Sequence, residues 1–150
     1  MIKHFTATAI LISTTHPAKV LLGLHQKLGV WLPPGGHIEE HENSTECLIR
    51  ETREETGLDI RPFLAEERKL ESRVTLLRQP DFILEELIPA RGDKPEHMHL
   101  DLNFVLHVPE FTPVFPKREY KEMRWMRKEE VKKLRTFQNI REFILPKVLK

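Results

Sequence analysis

The fold and the chemistry of this chain are both decided by residues 36–58, which read GHIEEHENSTECLIRETREETGL. Asn43 or Ser44 can cap the start of a helix, and Glu46 stands three residues after Asn43, as in a capping box. The glycine that follows Thr56 is a natural end, because glycine adopts the left-handed backbone conformation that closes many helices. The stretch therefore predicts a helix that begins at Ser44 and ends at Thr56, with a loop on either side.

Three glutamates of this helix fall on one face. Glu51, Glu54 and Glu55 stand at positions i, i+3 and i+4, so their carboxylates project in similar directions. Like charges at this spacing destabilise a helix unless a cation neutralises them, and hard oxygen ligands suit Mg²⁺ or Mn²⁺. Glu42 in the preceding loop could fold back over the same face. The alternative is a solvated acidic face, on which Arg50 and its neighbours reduce the repulsion between the carboxylates.

The residues around the glutamates resemble the box of the Nudix hydrolases. Gly36, Glu42 and the run RETREETGL at 50–58 fall on fixed positions of that pattern. The flanks are similar as well, since WLPPGG at 31–36 resembles the usual lead-in and Arg124-Trp125 resembles the closing strand. The resemblance implies an α/β/α sandwich with a mixed β-sheet, in which the box forms a loop–helix–loop. It also implies hydrolysis of a diphosphate bond in a nucleoside diphosphate linked to another group.

The resemblance also implies a role for each residue of the box. Glu51, Glu54 and Glu55 are the implied ligands of Mg²⁺, or of Mn²⁺, with the carbonyl oxygen of Gly35 as a further ligand. Arg50 is implied to orient the carboxylates through charge-assisted hydrogen bonds. One or more cations would bridge two phosphates and lower the pKa of a bound water, from which a carboxylate then removes a proton.

The identity of that base stays open between two glutamates. Glu51 is one, held by Arg50. Glu119 is the other, six residues before Trp125, in the loop where many family members place an additional acidic ligand or base. Its neighbours are basic, so a plain charged loop residue is an equally good interpretation of Glu119.

One position departs from the family pattern. Thr52 stands where the family usually has a larger aliphatic residue on the buried side of the helix. Its methyl group can still pack, and its hydroxyl is expected to bond to the carbonyl oxygen of Leu48. We expect a small change in side-chain packing and no loss of activity.

Three further residues are expected to bind substrate: His37, Phe82 and Asp101. His37 borders the box loop, where it can either contact a phosphate or be a solvent-exposed histidine, and Phe82 can stack on a base. Asp101 shares one strand face with His97 and His99, because the three alternate along the chain. That face could bind a transition metal, contact substrate or form a plain sheet surface, and the sequence leaves the three open.

Periodicity along the rest of the chain predicts helices that pack on a mixed sheet, in the α/β (α+β) class. Residues 31–36 are expected to form a loop, because two prolines interrupt sheet pairing. Residues 81–94 fit no single pattern. Extended segments are expected over 5–13, 20–24, 60–64, 68–77, 99–107 and 120–126, and helices over 128–134 and 138–149.

Composition limits the classes of protein that this chain can represent. Its 150 residues suit a single domain, 1–150, and 39% apolar with 31% charged residues is typical of a soluble globular protein. A net charge of +1 excludes a general polyanion binder and gives no strong case for a nucleic-acid partner. The single cysteine, Cys47, and the lack of a long apolar run favour a cytoplasmic protein with no membrane span. The sequence does not decide between a monomer and a homodimer.

Two markers that separate substrate classes among the Nudix hydrolases are missing. Members that act on ADP-ribose tend to have a proline where Arg73 and Val74 stand here. Members that act on dinucleoside polyphosphates tend to have a tyrosine slightly further on, and Tyr120 is the one tyrosine of this chain. The resemblance therefore favours a (deoxy)nucleoside triphosphate that releases pyrophosphate. The alternatives are ADP-ribose, a nucleotide sugar, a dinucleoside polyphosphate, or a catalytically silent nucleotide-binding domain.

Overall fold

A computed structural model describes residues 1–149 of the chain. In chain order, the elements of that part are β1 (Lys3–Ser13), β2 (Lys19–His25), β3 (Trp31–Leu32), β4 (Gly35–His37), α1 (Ser44–Thr56), β5 (Arg68–Glu71), β6 (Val74–Leu76), β7 (Phe82–Ile88), β8 (His97–Val108), β9 (Tyr120–Arg127), α2 (Lys128–Val131) and α3 (Leu145–Val148). A 3₁₀ turn at Arg61–Phe63 and a π-helix at Ile140–Ile144 complete them.

β1 is the centre of a mixed sheet that has seven strands in the described part of the chain. On one side, β1 runs parallel to β8 from the pair Lys3↔Met98 to the pair Ser13↔Val108, and β7 pairs antiparallel with β8. On its other side, β1 pairs antiparallel with β4 and, towards its end, with β2. β3 and β9 pair with β2, while β5 and β6 form a separate hairpin. The predicted mixed sheet is confirmed.

Both faces of the sheet are apolar along β1, because successive side chains of a strand point to opposite sides. Ala9 and Leu11 face α1 and pack in one core with its Leu48. Ile10, which lies between them, packs on the other side with Ile144 of the π-helix. α1 and the C-terminal helical segment therefore cover opposite faces, and the predicted α/β/α sandwich is confirmed.

α1 begins and ends where the sequence predicts. The side chain of Asn43 accepts a hydrogen bond from the backbone N–H of Glu46 at 2.9 Å, and the Glu46 carboxylate accepts one from the N–H of Asn43 at 3.0 Å. Gly57 ends the helix in the left-handed conformation, with φ of 82°. These local contacts fix the direction in which the glutamates of α1 project.

The expected loop over residues 31–36 is wrong, because two short strands lie within it. β3 precedes the two prolines and β4 follows them, so the prolines form only the connection. The glycines of β4 let it approach β1 closely, since a Cβ atom on Gly35 would lie 2.5 Å from the carbonyl oxygen of Ala7. The prolines prevented pairing only at their own positions.

Three other segments differ from expectation. Residues 60–64 are not extended but contain the 3₁₀ turn, whose first positions include a proline with no N–H for strand pairing. Residues 68–77 are not one strand but the hairpin of β5 and β6. The unassigned residues 81–94 contain β7 and a turn in which Arg91 and Lys94 exchange backbone hydrogen bonds of 3.0 Å.

Of the two predicted C-terminal helices, α2 covers only the start of 128–134. Residues 138–148 are helical as predicted, but the five residues of Ile140–Ile144 form a π-helix that continues into α3. Pro146 lacks the N–H that an α-helix would direct to the carbonyl oxygen of Glu142, which favours a wider turn before it. None of the helices in residues 1–149 combines the length and apolar character of a membrane span.

Candidate functional site

The carboxylates of α1 face β4, where Gly36 leaves room for Glu51 and the backbone of Gly35 contacts Glu55. The backbone N–H of Gly35 donates to Glu55 Oε2 at 3.0 Å. A Cβ atom on Gly36 would collide with the Glu51 carboxylate in its present position, so the glycine lets that carboxylate lie against the strand. Glu51 and Glu55 therefore stand beside each other against the backbone of β4.

Glu55 is the most enclosed of the three glutamates, with 4% of its surface exposed. Its Oε1 accepts a hydrogen bond from the hydroxyl of Tyr120. Burial raises the pKa of Glu55 to about 8 and the Glu51 charge adds to this, although the hydrogen bonds from Tyr120 and Gly35 act in the opposite direction. Burial and the nearby carboxylates also raise the pKa of Tyr120, so its hydroxyl stays protonated and remains a donor.

Arg50 ties the box loop to the glutamates. Its Nε and Nη2 donate to the two carboxylate oxygens of Glu42 at 3.0 and 2.5 Å, as a bidentate pair. Its Nη1 donates to Glu51 at 2.8 Å and to Glu54 at 3.3 Å, and Nη2 also donates to the carbonyl oxygen of His37 at 3.1 Å. The hydrogen bonds from Arg50 lower the pKa of Glu42 to about 2. One guanidinium thus fixes the positions of three carboxylates.

The oxygen atoms on this face of α1 suit a divalent cation. Burial raises the pKa of Glu51, although Arg50 acts in the opposite direction, and Glu51 in turn raises the pKa of Glu55. The pair therefore carries an unfavourable charge that a cation would relieve. Glu54 lies at the rim with 60% of its side chain exposed. Carboxylates are the ligands that Mg²⁺ and Mn²⁺ prefer, so the residues present fit the implied metal.

Glu119 lies in the turn that leads into β9. Its backbone is anchored, because its N–H donates to the carbonyl oxygen of Pro116 at 3.0 Å and its own carbonyl oxygen accepts from the N–H of Gln26 at 2.7 Å. Its charge contributes to the raised pKa values of Glu55 and Tyr120, so the carboxylate lies within electrostatic range of both. The turn therefore carries a half-buried carboxylate whose charge acts on Glu55.

Two of the residues expected to bind substrate lie on the other face of the sheet. His37 follows Gly36 in β4, so its side chain points away from α1. Asp101 shares that face and accepts hydrogen bonds from the hydroxyls of Thr6 and Thr8 at 2.8 and 2.9 Å. With 7% of its surface exposed, Asp101 is a buried and hydrogen-bonded group. This part of the strand face is therefore not a plain sheet surface.

The aromatic side chains have structural contacts. Phe82, the third residue expected to bind substrate, packs edge-on against Phe143 of the π-helix, with ring centroids 5.7 Å apart. Trp125 packs edge-on against Phe111 and donates its indole N–H to the carbonyl oxygen of that residue at 2.8 Å. Phe82 thus joins β7 to the C-terminal helical segment, and Trp125 belongs to the core.

Thr52, on the buried side of α1, does not make the hydrogen bond that the sequence suggested. Its hydroxyl has no partner among residues 1–149, so the predicted bond to Leu48 is wrong. Thr56 instead donates to the carbonyl oxygen of Thr52 at 2.7 Å, and its oxygen accepts from the N–H of Leu58 at 3.2 Å. Among the described residues, no hydrogen bond compensates for the burial of the Thr52 hydroxyl.

A basic pocket of about 340 Å³ lies near His25, and sequence reasoning missed it. Burial lowers the pKa of His25, and the charges of Lys27 and Arg91 lower it further, which puts both cations near that ring. His25 packs edge-on against Tyr120, with ring centroids 5.9 Å apart. Two residues that line the pocket therefore lie near the imidazole that contacts Tyr120. Its lining consists of Lys27, Arg91, Asp93 and Lys94.

Tyr120 is the other residue of the site that sequence reasoning missed. The one available signal was its position beside Glu119 at the start of a strand. A Cβ atom on Gly23 would lie 2.5 Å from the Tyr120 ring, so that glycine leaves the space the ring occupies. The two residues lie far apart in the chain and meet only because β2 pairs with β9.

Comparison with known proteins agrees with this architecture. A model of the NUDIX domain matches residues 3–146. The chain is similar to the crystal structure of a NUDIX-family hydrolase from Clostridium perfringens, with 26% identity, a TM-score of 0.73, and coverage of 99% of this chain and 97% of that one. It is also similar in fold to the E. coli dihydroneopterin triphosphate pyrophosphohydrolase, with 16% identity, a TM-score of 0.70, and coverage of 99% of both chains.

Similarity to a curated relative is confined to a shorter segment. The asymmetrical bis(5'-nucleosyl)-tetraphosphatase of Mus musculus is 49% identical over 37 residues, which make up 25% of this chain and 22% of that protein. The matched segment thus spans about a fifth of the length of the mouse protein.

Proposed function

The chain belongs to the NUDIX family, and we propose that it hydrolyses a diphosphate linkage in a nucleotide with Mg²⁺ or Mn²⁺ as cofactor. The observation that carries this proposal is the pair of carboxylates, Glu51 and Glu55, enclosed against the glycine backbone of β4. Burying like charges beside each other destabilises a fold unless something neutralises them. A functional cation is the simplest reason for the arrangement.

Glu51, Glu54 and Glu55 would hold the cation, together with the carbonyl oxygen of Gly35. When bound, the cation supplies charge neutralisation at the phosphates and activation of the attacking water. Arg50 keeps Glu51 and Glu54 oriented through its hydrogen bonds of 2.8 and 3.3 Å. The hydroxyl of Tyr120 and the N–H of Gly35 hold the Glu55 carboxylate in place from the other side.

Glu119 accepts the proton of the attacking water in this proposal, with Glu51 as the alternative base. Support for Glu119 comes from its anchored turn and its electrostatic effect on Glu55. Glu51 already accepts a hydrogen bond from Arg50 and is a proposed metal ligand, which leaves it fewer lone pairs for a proton.

The basic pocket supports a polyphosphate chain as the substrate. Its three cations exceed the single carboxylate of Asp93, and this local excess of positive charge suits phosphate groups. Arg91 and Lys94 belong to one turn, so two of the cations are held together by backbone hydrogen bonds. We favour a (deoxy)nucleoside triphosphate that releases pyrophosphate.

A dinucleoside polyphosphate is the second candidate substrate. It is favoured by the 49% identity of a 37-residue segment to the mouse tetraphosphatase, whose name states such a substrate. The same basic pocket would suit its longer phosphate chain. The two candidates share the metal site and differ in what lies beyond the phosphates.

A hydrolysis panel with Mg²⁺ and then Mn²⁺ tests the proposal. It contains ribo- and deoxynucleoside triphosphates, diadenosine tetraphosphate, a nucleotide sugar and ADP-ribose. We expect a triphosphate to give the highest kcat/KM, with pyrophosphate as a product and no turnover without a divalent cation. Turnover of another member at least about tenfold faster than every triphosphate would replace the substrate and keep the metal site. No metal-dependent turnover at all would indicate a catalytically silent domain.

A further inference from the structure

Four imidazoles converge on the face of the sheet that is turned away from α1. They come from three strands, with His4 in β1, His37 in β4, and His97 and His99 in β8. One ring nitrogen of each of His4, His37 and His99 lies within 4.8 Å of the other two. The ring centroids of His37 and His99 are 4.9 Å apart, and those of His4 and His37 are 5.4 Å apart. The cluster therefore has the dimensions of a set of metal ligands.

Strand register brings these rings together. His4 is the direct partner of His99 in the parallel pair of β1 and β8, and His37 is the partner of Thr6 in the antiparallel pair of β1 and β4. Alternate residues of a strand share a face, so His4 points to the same side as Thr6, and His97 to the same side as His99. Main-chain hydrogen bonds thus hold all four positions, and none depends on the conformation of a loop.

His97 has the geometry of a fourth ligand. Its Nε2 lies 3.1 Å from Nε2 of His99, while nitrogens bound at about 2.05 Å to a tetrahedral ion lie about 3.3 Å apart. Its Nδ1 lies 3.1 Å from the carbonyl oxygen of Pro95 and must donate there, because a carbonyl only accepts. Nε2 of this neutral ring then accepts from Nε2–H of His99, and a metal ion that replaces that proton would meet the lone pairs of both rings. An open pocket of about 610 Å³, lined by residues 3–5 and 37–39, gives an ion access.

The charge state of the cluster also suits a cation. Burial lowers the pKa of His99 to about 4, with the neighbouring imidazoles adding to the effect, and burial lowers the pKa of His37 for the same reasons. The neutral imidazole is the form that binds a metal. The charges of Asp101 and Glu39 oppose these shifts and would compensate part of the charge of a bound ion.

We infer that His4, His37 and His99, with His97 as the fourth ligand, form a binding site for one divalent transition metal, and that Zn²⁺ fits this all-imidazole set. The site is separate from the carboxylates, because the His37 side chain points away from α1. A metal bound there would join β1, β4 and β8. It would also fix β4, whose glycines touch the glutamates on the other side.

Calorimetric titration of the chelator-treated chain with Zn²⁺ tests the inference, with saturating Mg²⁺ present to occupy the carboxylates. We expect one Zn²⁺ per chain. His4→Ala and His37→Ala should each weaken Zn²⁺ binding by at least about tenfold, a loss seen even for residues that only support metal ligands. Both side chains reach the surface and neither belongs to the hydrophobic core, so these variants should fold. His107→Ala is the matched control, since His107 is an exposed histidine on β8, and it should bind Zn²⁺ like the wild type.

Co²⁺ gives an independent readout, because imidazole-bound tetrahedral Co²⁺ absorbs visible light strongly and oxygen-bound octahedral Co²⁺ absorbs weakly. A strong band that is lost in His37→Ala and kept in Glu54→Gln would support the site. Zn²⁺ binding that is lost in Glu54→Gln and kept in both histidine variants would overturn it, because the ion would then lie on the carboxylates. Absence of Zn²⁺ binding would also overturn it and leave the imidazoles as a polar lining for substrate.

Discussion

The two sides of β4 carry groups of opposite chemical character. On the side of α1, the glycines of this strand meet the carboxylates of Glu51 and Glu55, whose pKa values are raised by burial. On the far side, His37 joins His4 and His99, and burial lowers the pKa values of His37 and His99. Burial therefore moves both groups towards the neutral form, the carboxylates by keeping a proton and the imidazoles by losing one.

The contrast shows how a strand of three residues can serve two sites. Alternation sends Gly36 towards α1 and His37 away from it, and the missing side chain of the glycine admits the Glu51 carboxylate. Oxygen ligands on one side suit Mg²⁺ or Mn²⁺, and nitrogen ligands on the other suit a transition metal. The two sides would then select different ions by the chemistry of their ligands, although only one strand separates them.

The largest effect on activity is expected from a substitution that removes one negative charge from the carboxylates and leaves the histidines unchanged. Glu55→Gln keeps the shape of the side chain but removes a charge that the cation requires, so kcat should fall by at least about 10²-fold. Glu54→Gln should act in the same direction. Zn²⁺ affinity of the histidines, measured by calorimetry on the same preparations, should remain that of the wild type.

Glu40→Gln is the matched control for these variants. Glu40 is an exposed glutamate of the box loop and makes none of the hydrogen bonds around Arg50. Its kcat should stay close to that of the wild type. Near-normal rates in both Glu54→Gln and Glu55→Gln would show that the carboxylate side of β4 is not the reaction centre.

Substitution of Glu119 is expected to have a smaller and more selective effect on the kinetics of the same site. Glu119→Gln should lower kcat more than it raises KM, because a general base contributes about 10²–10⁴-fold to the rate and little to substrate binding. Steady-state kinetics on the preferred substrate of the panel measure both constants. A fall in kcat of less than about threefold would assign the base to Glu51 instead.

Short-range sequence signals were sufficient to predict the helix α1 and the face of it that carries the carboxylates. Asn43, Glu46 and Gly57 act within one helix, so their capping contacts can be read from spacing and set the face on which the glutamates lie. The partner of Arg50 was only partly visible: Glu42 could be expected over the same face, but its bidentate contact depends on how the loop folds.

The imidazole cluster on the far side of β4 could be predicted only from the register of three strands. Alternation along β8 puts His97, His99 and Asp101 on one face, and this was visible in the sequence. His4 and His37 join them only because β1 pairs with both neighbours at that level, which no local pattern encodes. The contact of Tyr120 with Gly23 is unpredictable for the same reason.

The pH dependence of stability gives a third test, on the chelator-treated chain. The pKa of Glu55 rises from 4.5 to about 8 on folding, so between those values the folded state keeps a proton that the unfolded state has lost. The imidazoles with lowered pKa values oppose this below pH 6.5, so stability against urea should fall as the pH rises from 6.5 to about 8. Glu42, whose pKa falls to about 2, acts oppositely, and its contribution is lost as the pH drops below 4.5.

Glu55→Gln and Glu40→Gln separate this effect from general charge repulsion. The fall in stability towards pH 8 should be smaller in Glu55→Gln and unchanged in Glu40→Gln. Saturating Mg²⁺ should raise the free energy of unfolding of the wild type at the upper end of the pH range, because a bound cation stabilises the charged carboxylates. An identical pH profile in wild type and Glu55→Gln would contradict the link between the buried charge and the metal site.

The smallest expected effect lies on the buried side of α1, and it should alter neither side of β4. Thr52→Val replaces a buried hydroxyl that has no partner among residues 1–149 with a methyl group of similar shape, so the free energy of unfolding should rise by about 1 kcal/mol. Thr56→Val is the matched opposite, because the Thr56 hydroxyl is hydrogen-bonded to Thr52 and Leu58, and its loss should cost about 1–2 kcal/mol. Urea unfolding of both variants measures the difference. A loss of stability in Thr52→Val would mean that its hydroxyl finds a partner in solution, and a changed kcat would mean that the buried face of α1 is coupled to its carboxylates.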